Sequence, residues 1–218
     1  MNIVLYGEEK LLLAQRLEDL KKKYQCTSDD MNYMVYHAGE TPMKEIIEDA
    51  LTQPFLTEYK MVVLKNPIFL TKEKPKKKLV TDEDIKLFLD YIEHDNPTTI
   101  FVIYQDQRNF DERKKVVKSL RKHAKWYEME KLTFDQLYKA TREAIIHRNA
   151  SIEDDALTLL LDRCGNDLLT ISNQVEKLCL YTHNIKKEDV ERLVPPRVEE
   201  DVFKLTNALM NHDLRNTM

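Results

Sequence analysis

The chain reads as an α/β sheet protein followed by a smaller, all-helical part. Short β-branched or aromatic runs alternate with stretches of helical periodicity up to about residue 130, and beyond that point helical periodicity continues alone. Alternation of this kind is the signature of a layered sheet covered by helices. Only three glycines occur, beside 42% hydrophobic and 33% charged residues, which favours a helix-rich globular chain over a disordered or all-β one.

Taken in order, strands are expected at residues 3–6, 33–37, 61–65, 99–104 and 126–129, each an apolar run rich in β-branched or aromatic side chains. Between them, helices are expected at 8–24, carried by Leu13, Leu17, Leu20 and Tyr24, and at 43–51. Two more fall at 82–94, with Ile85, Phe88, Leu89 and Ile92 on one face, and at 112–124, with Val116, Val117 and Leu120. Thr41-Pro42 reads as a helix start, a capping hydroxyl followed by proline at the first helical position.

After Met129 the pattern predicts no further strand. Thr133 with Gln136, and Ser151 with Asp154, resemble capping boxes, the second with Asp replacing the usual Glu or Gln. Three apolar stripes follow: Phe134, Leu137, Tyr138, Thr141 and Ile145; Leu168, Ile171, Val175, Leu178 and Cys179; Val190, Leu193 and Val194. They predict a small helical bundle. Pro195-Pro196 breaks the chain, and residues 199–211 begin another amphipathic helix through Val202, Leu205, Thr206 and Leu209. The lysine-rich stretch 72–78, net +4, is expected to be a mobile loop.

At 218 residues, one medium domain plus a small one is the natural division. The net charge of -4 argues against a dedicated electrostatic binder of nucleic acid. Cys26, Cys164 and Cys179 are odd in number and lack any C-x-x-C spacing, so they read as reduced, buried thiols. The N-terminus opens on a strand without a basic, then apolar, leader, and no segment approaches eighteen consecutive apolar residues. A cytoplasmic chain with no membrane partner is expected.

An open α/β sheet invites a nucleotide at the turn after its first strand. Here that turn is Tyr6-Gly7-Glu8-Glu9-Lys10-Leu11, which lacks the second glycine and the Gly-Lys-Ser/Thr ending of a P-loop. It sets two carboxylates where phosphates would sit. Acidic residues for a magnesium ion are equally thin, with Asp106 alone after the run at 99–104. The four serines lie in no nucleophile elbow and the six histidines show no metal-ligand spacing. No catalytic residue, cofactor or metal is predicted.

Two surface features remain. Residues 108–125 hold eight Lys or Arg against Asp111 and Glu112. With the apolar residues on one face, Arg113, Lys114, Lys118, Arg121 and Lys122 form a basic face, either merely solvated or set to meet phosphates or an acidic protein. The second feature is Pro54-Phe55-Leu56, between a helix and a strand. A large aromatic and a leucine in a turn either fold back into the core or wait for a partner, and pattern alone leaves both readings open.

The run Gly165-Asn166-Asp167-Leu168, continuing to Glu176-Lys177-Leu178-Cys179-Leu180-Tyr181, resembles a G-N-D-L then E-K-L-x-L-Y helix of the delta subunits of the bacterial DNA polymerase III clamp loader. The opening Leu5-Tyr6-Gly7-Glu8-Glu9 agrees with it. So does Asp201-Val202-Phe203-Lys204-Leu205-Thr206-Asn207-Ala208, with Asn207 in place of the family's commoner Asp. The resemblance covers essentially the whole chain and is nearest to the Gram-positive branch.

That resemblance implies an AAA+-like parallel-sheet domain without a P-loop at residues 1–132, a three-helix lid-like domain at 133–196, and the start of a collar region at 197–218. Family members continue into a full collar, so a chain cut short of it is expected. The missing zinc module favours delta over the related motor and delta-prime subunits. The family opens the ring-shaped sliding clamp, the beta subunit, with a hydrophobic wedge. Phe55 and Leu56 match that wedge, with Leu51 and Pro54 in support. The implied role is a non-enzymatic part of the DNA polymerase III holoenzyme that meets DNA through the assembled complex. A degenerate P-loop ATPase and a nucleic-acid-binding protein using its basic face are the alternatives.

Overall fold

The computed structural model describes residues 1–26, 31–73 and 80–196. The chain divides into two compact units, Met1–Lys131 and Leu132–Met218. In the first, strands β1 (Asn2–Gly7), β2 (Tyr33–His37), β3 (Lys60–Lys65), β4 (Thr99–Gln105) and β5 (Ala124–Met129) form one sheet in the order β2-β3-β4-β1-β5. Every pairing is parallel. All five strands therefore start along one edge of the sheet.

Helix α1 (Lys10–Lys23) covers one face, while α2 (Met43–Leu51), α3 (Asp82–Glu93) and α4 (Lys115–His123) pack with the core on the other. Leu13, Leu17 and Leu20 of α1 cluster with Ile3, Leu5, Met61, Val63, Ile100 and Val102. The alternate residues Val4, Val62, Leu64, Phe101 and Ile103 pack with Ile46, Phe88 and Val117. Strands covered on both faces must be apolar throughout, which is why β3 and β4 read as continuous hydrophobic runs. Strand β2 lies at the sheet edge and leaves Met34 and Val35 exposed.

Three local expectations are corrected. Helix α1 begins at Lys10 rather than residue 8, because Glu9 is its N-cap and takes the Leu11 amide on its own carboxylate. Helix α4 begins at Lys115 rather than 112, since Asp111 holds the preceding residues in a turn through the Lys114 and Arg113 amides. Pro42 is itself the N-cap of α2, its carbonyl accepting from Glu45 and Ile46, and the Thr41 hydroxyl makes no cap bond to the helix.

The second unit holds α5 (Phe134–Ile146), α6 (Asp154–Cys164), α7 (Leu168–Tyr181) and the short α8 (Lys187–Leu193). Its core gathers Leu137, Ile145, Leu157, Leu160, Leu161, Ile171, Val175, Leu178 and Val190. The Thr133–Gln136 capping box forms as expected. In the Gly-Asn-Asp motif, Gly165 ends α6 with φ +64°, and Asp167 opens α7 by accepting from the Leu169 amide at 3.1 Å and the Thr170 hydroxyl at 2.6 Å. Those bonds hold the Asp167 carboxyl below its ordinary range.

Strands do not stop at Met129. Ser151–Ile152 (β6) and Asn184–Ile185 (β7) pair in a short parallel ribbon. Ser151 therefore does not cap α6: its amide donates to the His183 carbonyl and its hydroxyl to Asn184, leaving Glu153 as the N-cap. Phe134 leaves its predicted stripe and is exposed, tilted against Tyr138. Cys26 and Cys164 are buried, whereas Cys179 is only half-buried. Most of the lysine-rich stretch and the predicted helix at 199–211 lie outside the described residues, as does the region 197–218. No helix among the described residues is long and apolar enough to cross a membrane.

Candidate partner-binding site

The segment joining α2 to β3 carries, in Leu56, the most exposed large apolar side chain among the described residues, on a firmly tied backbone. Leu51 is 52% exposed, Phe55 58% and Leu56 89%, while Pro54 is half-buried. Burial of Phe55 and Leu56 in the chain's own core is thereby excluded. Leu56 also has φ +56°, a left-handed conformation that a bulky side chain adopts at a cost.

Two anchors fix this segment. Asn32, buried just ahead of β2, donates from Nδ2 to the Phe55 carbonyl at 2.8 Å and accepts the Phe55 amide on Oδ1 at 2.6 Å. The second anchor is the end of α2, whose last carbonyls need partners. Lys60, 4% exposed, sends its ammonium to the Asp49 carbonyl at 2.8 Å, the Asp49 carboxylate at 2.7 Å and the Thr52 hydroxyl at 2.8 Å. Asn96 donates to the Ala50 and Leu51 carbonyls, and the Thr99 hydroxyl to Ala50 at 2.7 Å. A buried cation at a helix C-terminus is also favoured by the helix dipole. Nearby, burial first and the Asp49 carboxylate second push the Tyr36 phenol up to about 12.

The predicted basic face is divided by the structure. Arg113 forks onto Asp111 through Nε at 2.9 Å and Nη2 at 3.0 Å, and Lys114 turns inward to the Phe69 and Thr71 carbonyls at 2.9 and 2.6 Å. Arg121 pairs with Glu112 at 2.6 Å and stacks on Trp126, its guanidinium carbon 3.6 Å from the ring centre. Lys118 and Lys122 are exposed and belong to no ion pair among the described residues.

At the turn after β1, Gly7 has φ +147°, and a Cβ there would lie 2.0 Å from the Met129 carbonyl oxygen. The amides of Glu8 and Glu9 both donate to that carbonyl, at 3.1 and 3.2 Å, and the Leu11 amide goes to the buried Glu9. Donors that hold phosphates in nucleotide-binding turns are committed to the protein itself. No group of His, Cys, Asp and Glu among the described residues is placed to hold a metal ion.

Asn32, Lys60, Asn96 and Thr99 were invisible as site residues in the sequence. Lys60 at the start of an apolar run was the one available signal, since a lysine there must find buried acceptors.

A five-stranded parallel sheet whose first turn lacks a P-loop, followed by a helical unit, defines an AAA+-like fold. The RuvB Holliday junction branch migration motor of Thermotoga maritima shares that fold, with a TM-score of 0.54 at 12% identity over 97% of this chain and 70% of that one. Residues 4–130 match the family described as DNA polymerase III, delta subunit. The chain belongs to that family. It is 31% identical to DNA polymerase III subunit delta of Bacillus subtilis over 211 residues, 95% of this chain and 60% of the relative. The solved Bacillus subtilis DNA clamp loader delta protein superposes with a TM-score of 0.74 at 31% identity, covering 99% of this chain and 64% of that one. The chain thus spans about 60% of the length of the curated relative it matches.

Proposed function

We propose that this chain binds a sliding clamp through Phe55 and Leu56, with Leu51 and Pro54 flanking them, and opens the ring as part of a clamp loader. The observation that carries this reading is the exposure of Phe55 and Leu56 on a backbone tied by Asn32 and Lys60. Exposed apolar side chains on a mobile loop would lose much of their binding energy to ordering; here the backbone is already held. A strained leucine at the tip supports the same reading, because such strain collects at binding sites. Opening requires that the wedge bind the open ring better than the closed one.

In this reading the chain acts in the cytoplasm with the motor and delta-prime subunits and meets DNA only through their complex. It does no chemistry of its own. The committed amides and Glu9 at the β1 turn support this, and stoichiometric, micromolar ATP binding in a calorimetric titration would overturn it. The domain plan at 1–132, 133–196 and 197–218 is kept as part of the proposal, with the sheet unit as the clamp-engaging piece.

The test is Phe55→Ala with Leu56→Ala against a purified cognate clamp. Truncating buried interface anchors commonly costs roughly 2–4 kcal/mol, so affinity should fall at least about thirtyfold. The fold should be intact by circular dichroism, since both side chains are exposed. A folded variant that binds the clamp like wild type places the wedge elsewhere.

A further inference from the structure

We infer that a polar pocket beside the wedge, lined by Arg16, Lys23 and Lys125, is a second contact for the same partner and takes a carboxylate side chain from it. The pocket, about 160 Å³, lies between the C-terminal half of α1 and the starts of β1 and β5. Its walls bring together three cations from positions far apart in the sequence, with Asp19, Tyr24 and Tyr127. The Met1 ammonium at its margin is already paired with Asp95 at 2.7 Å.

The charges here meet aromatic rings rather than carboxylates, the Lys23 ammonium lying 5.3 Å from the centre of the Tyr24 ring. Arg113, Arg121 and Lys114 of the basic face have protein partners, whereas Arg16, Lys23 and Lys125 form no ion pair among the described residues. The Arg16 guanidinium carbon lies over the Tyr127 ring, 4.4 Å from its centre, and its Nε is buried without an acceptor among the described residues. A guanidinium resting on an aromatic ring, in a pocket that two lysines also line, suits a planar carboxylate. Asp19, the one carboxylate in the wall, leaves the pocket net positive.

Position in the fold selects the occupant. The sheet is wholly parallel, so the starts of β1 and β5 and the loop entering β3 share one edge. Adjacent strands lie about 4.8 Å apart, which puts the starts of β1 and β5, and the pocket on them, roughly 10–14 Å from the start of β3, where the wedge loop ends. The pocket wall touches the end of the loop: Tyr24 meets Tyr59 edge-on, with ring centres 5.3 Å apart. A standard interface covers roughly 800 Å² on each partner, an area wide enough for a protein seated on Phe55 and Leu56 to reach the pocket. Covered without a counter-charge, three cations would oppose binding through lost hydration. This inference rests on the clamp-binding reading and names the chemistry of its second contact.

The experiment measures clamp affinity at about 50 mM and about 500 mM NaCl for the wild-type chain, Lys23→Gln with Lys125→Gln, Arg16→Gln, and the wedge double variant. Lys23 and Lys125 are exposed, so their variant should melt like wild type. Its affinity should fall roughly threefold to tenfold at low salt, with a shallower salt slope and little difference at high salt. Arg16→Gln should move in the same direction. Unchanged affinity and salt slope in the lysine variant overturn the pocket while leaving the wedge standing. Full affinity in the wedge variant, or no clamp binding by wild type, overturns the wedge reading instead. Loss of oligonucleotide binding with unchanged clamp affinity would reassign the pocket to nucleic-acid phosphate and defeat the inference.

Discussion

Asn32 and Phe55 exchange two hydrogen bonds, side-chain amide to main chain in both directions, at 2.8 and 2.6 Å. The Asn32 carbonyl meanwhile accepts the Met61 amide at 2.7 Å, tying the same residue to the strand that follows the loop. The Asn32 side chain does for Phe55 what a neighbouring strand would do. Its own burial makes that arrangement costly to lose.

Asn32→Ala is therefore expected to destabilise the chain by about 1–3 kcal/mol and to weaken clamp binding without touching an apolar contact. Hydrogen exchange at the Phe55 amide should accelerate in the variant. Wild-type exchange and affinity together would show that the loop is held by other means.

Leu56→Gly separates strain from contact. Glycine adopts φ near +56° freely, so melting temperature should hold or rise although a side chain has been removed. Clamp affinity should drop because that side chain is the exposed apolar tip. A clear fall in thermal stability would mean that Leu56 packs against the protein in solution.

Lys60→Met probes the second anchor. The change leaves Asp49 without its cation and α2 with fewer capped carbonyls, an expected cost of about 2–4 kcal/mol by chemical denaturation. Adding Asp49→Asn should recover part of that loss, since the stranded charge is then gone. A single variant as stable as wild type would contradict the buried-pair account.

Asp111 supplies the pH dependence. Its hydrogen bonds from Arg113 lower its pKa from 3.8 to about 2. With the folded value below the unfolded one, the carboxylate contributes its stability above about pH 4 and loses it as pH falls toward 2. Carboxyl resonances followed by NMR should show Asp111 titrating near the bottom of that window, and Asp111→Asn should flatten the acid limb there. An Asp111 that titrates near 3.8 would show that the fork with Arg113 does not persist in solution.

By itself the sequence determined the layers of this protein. Apolar period and β-branched runs located all five main strands and the helices between them, because burial on two faces of a parallel sheet demands continuous hydrophobic segments. Local signals with a self-contained mechanism were also legible: the Thr133–Gln136 box and a β1 turn with no phosphate-binding pattern. Tertiary structure decided whatever depended on partners distant in the chain. The β6–β7 ribbon is too short to leave a periodic trace, and pairing with residues more than thirty positions away took Ser151 from its expected cap. The run of positive charge around α4 was plain in the sequence, yet Asp111, Glu112 and two backbone carbonyls engage Arg113, Arg121 and Lys114, three of the five residues of the basic face, while Arg16 and Lys23 of α1 share a pocket with Lys125. Whether Phe55 and Leu56 face core or solvent was likewise settled by three-dimensional neighbours: Asn32 and Lys60 hold the backbone so that neither side chain turns inward.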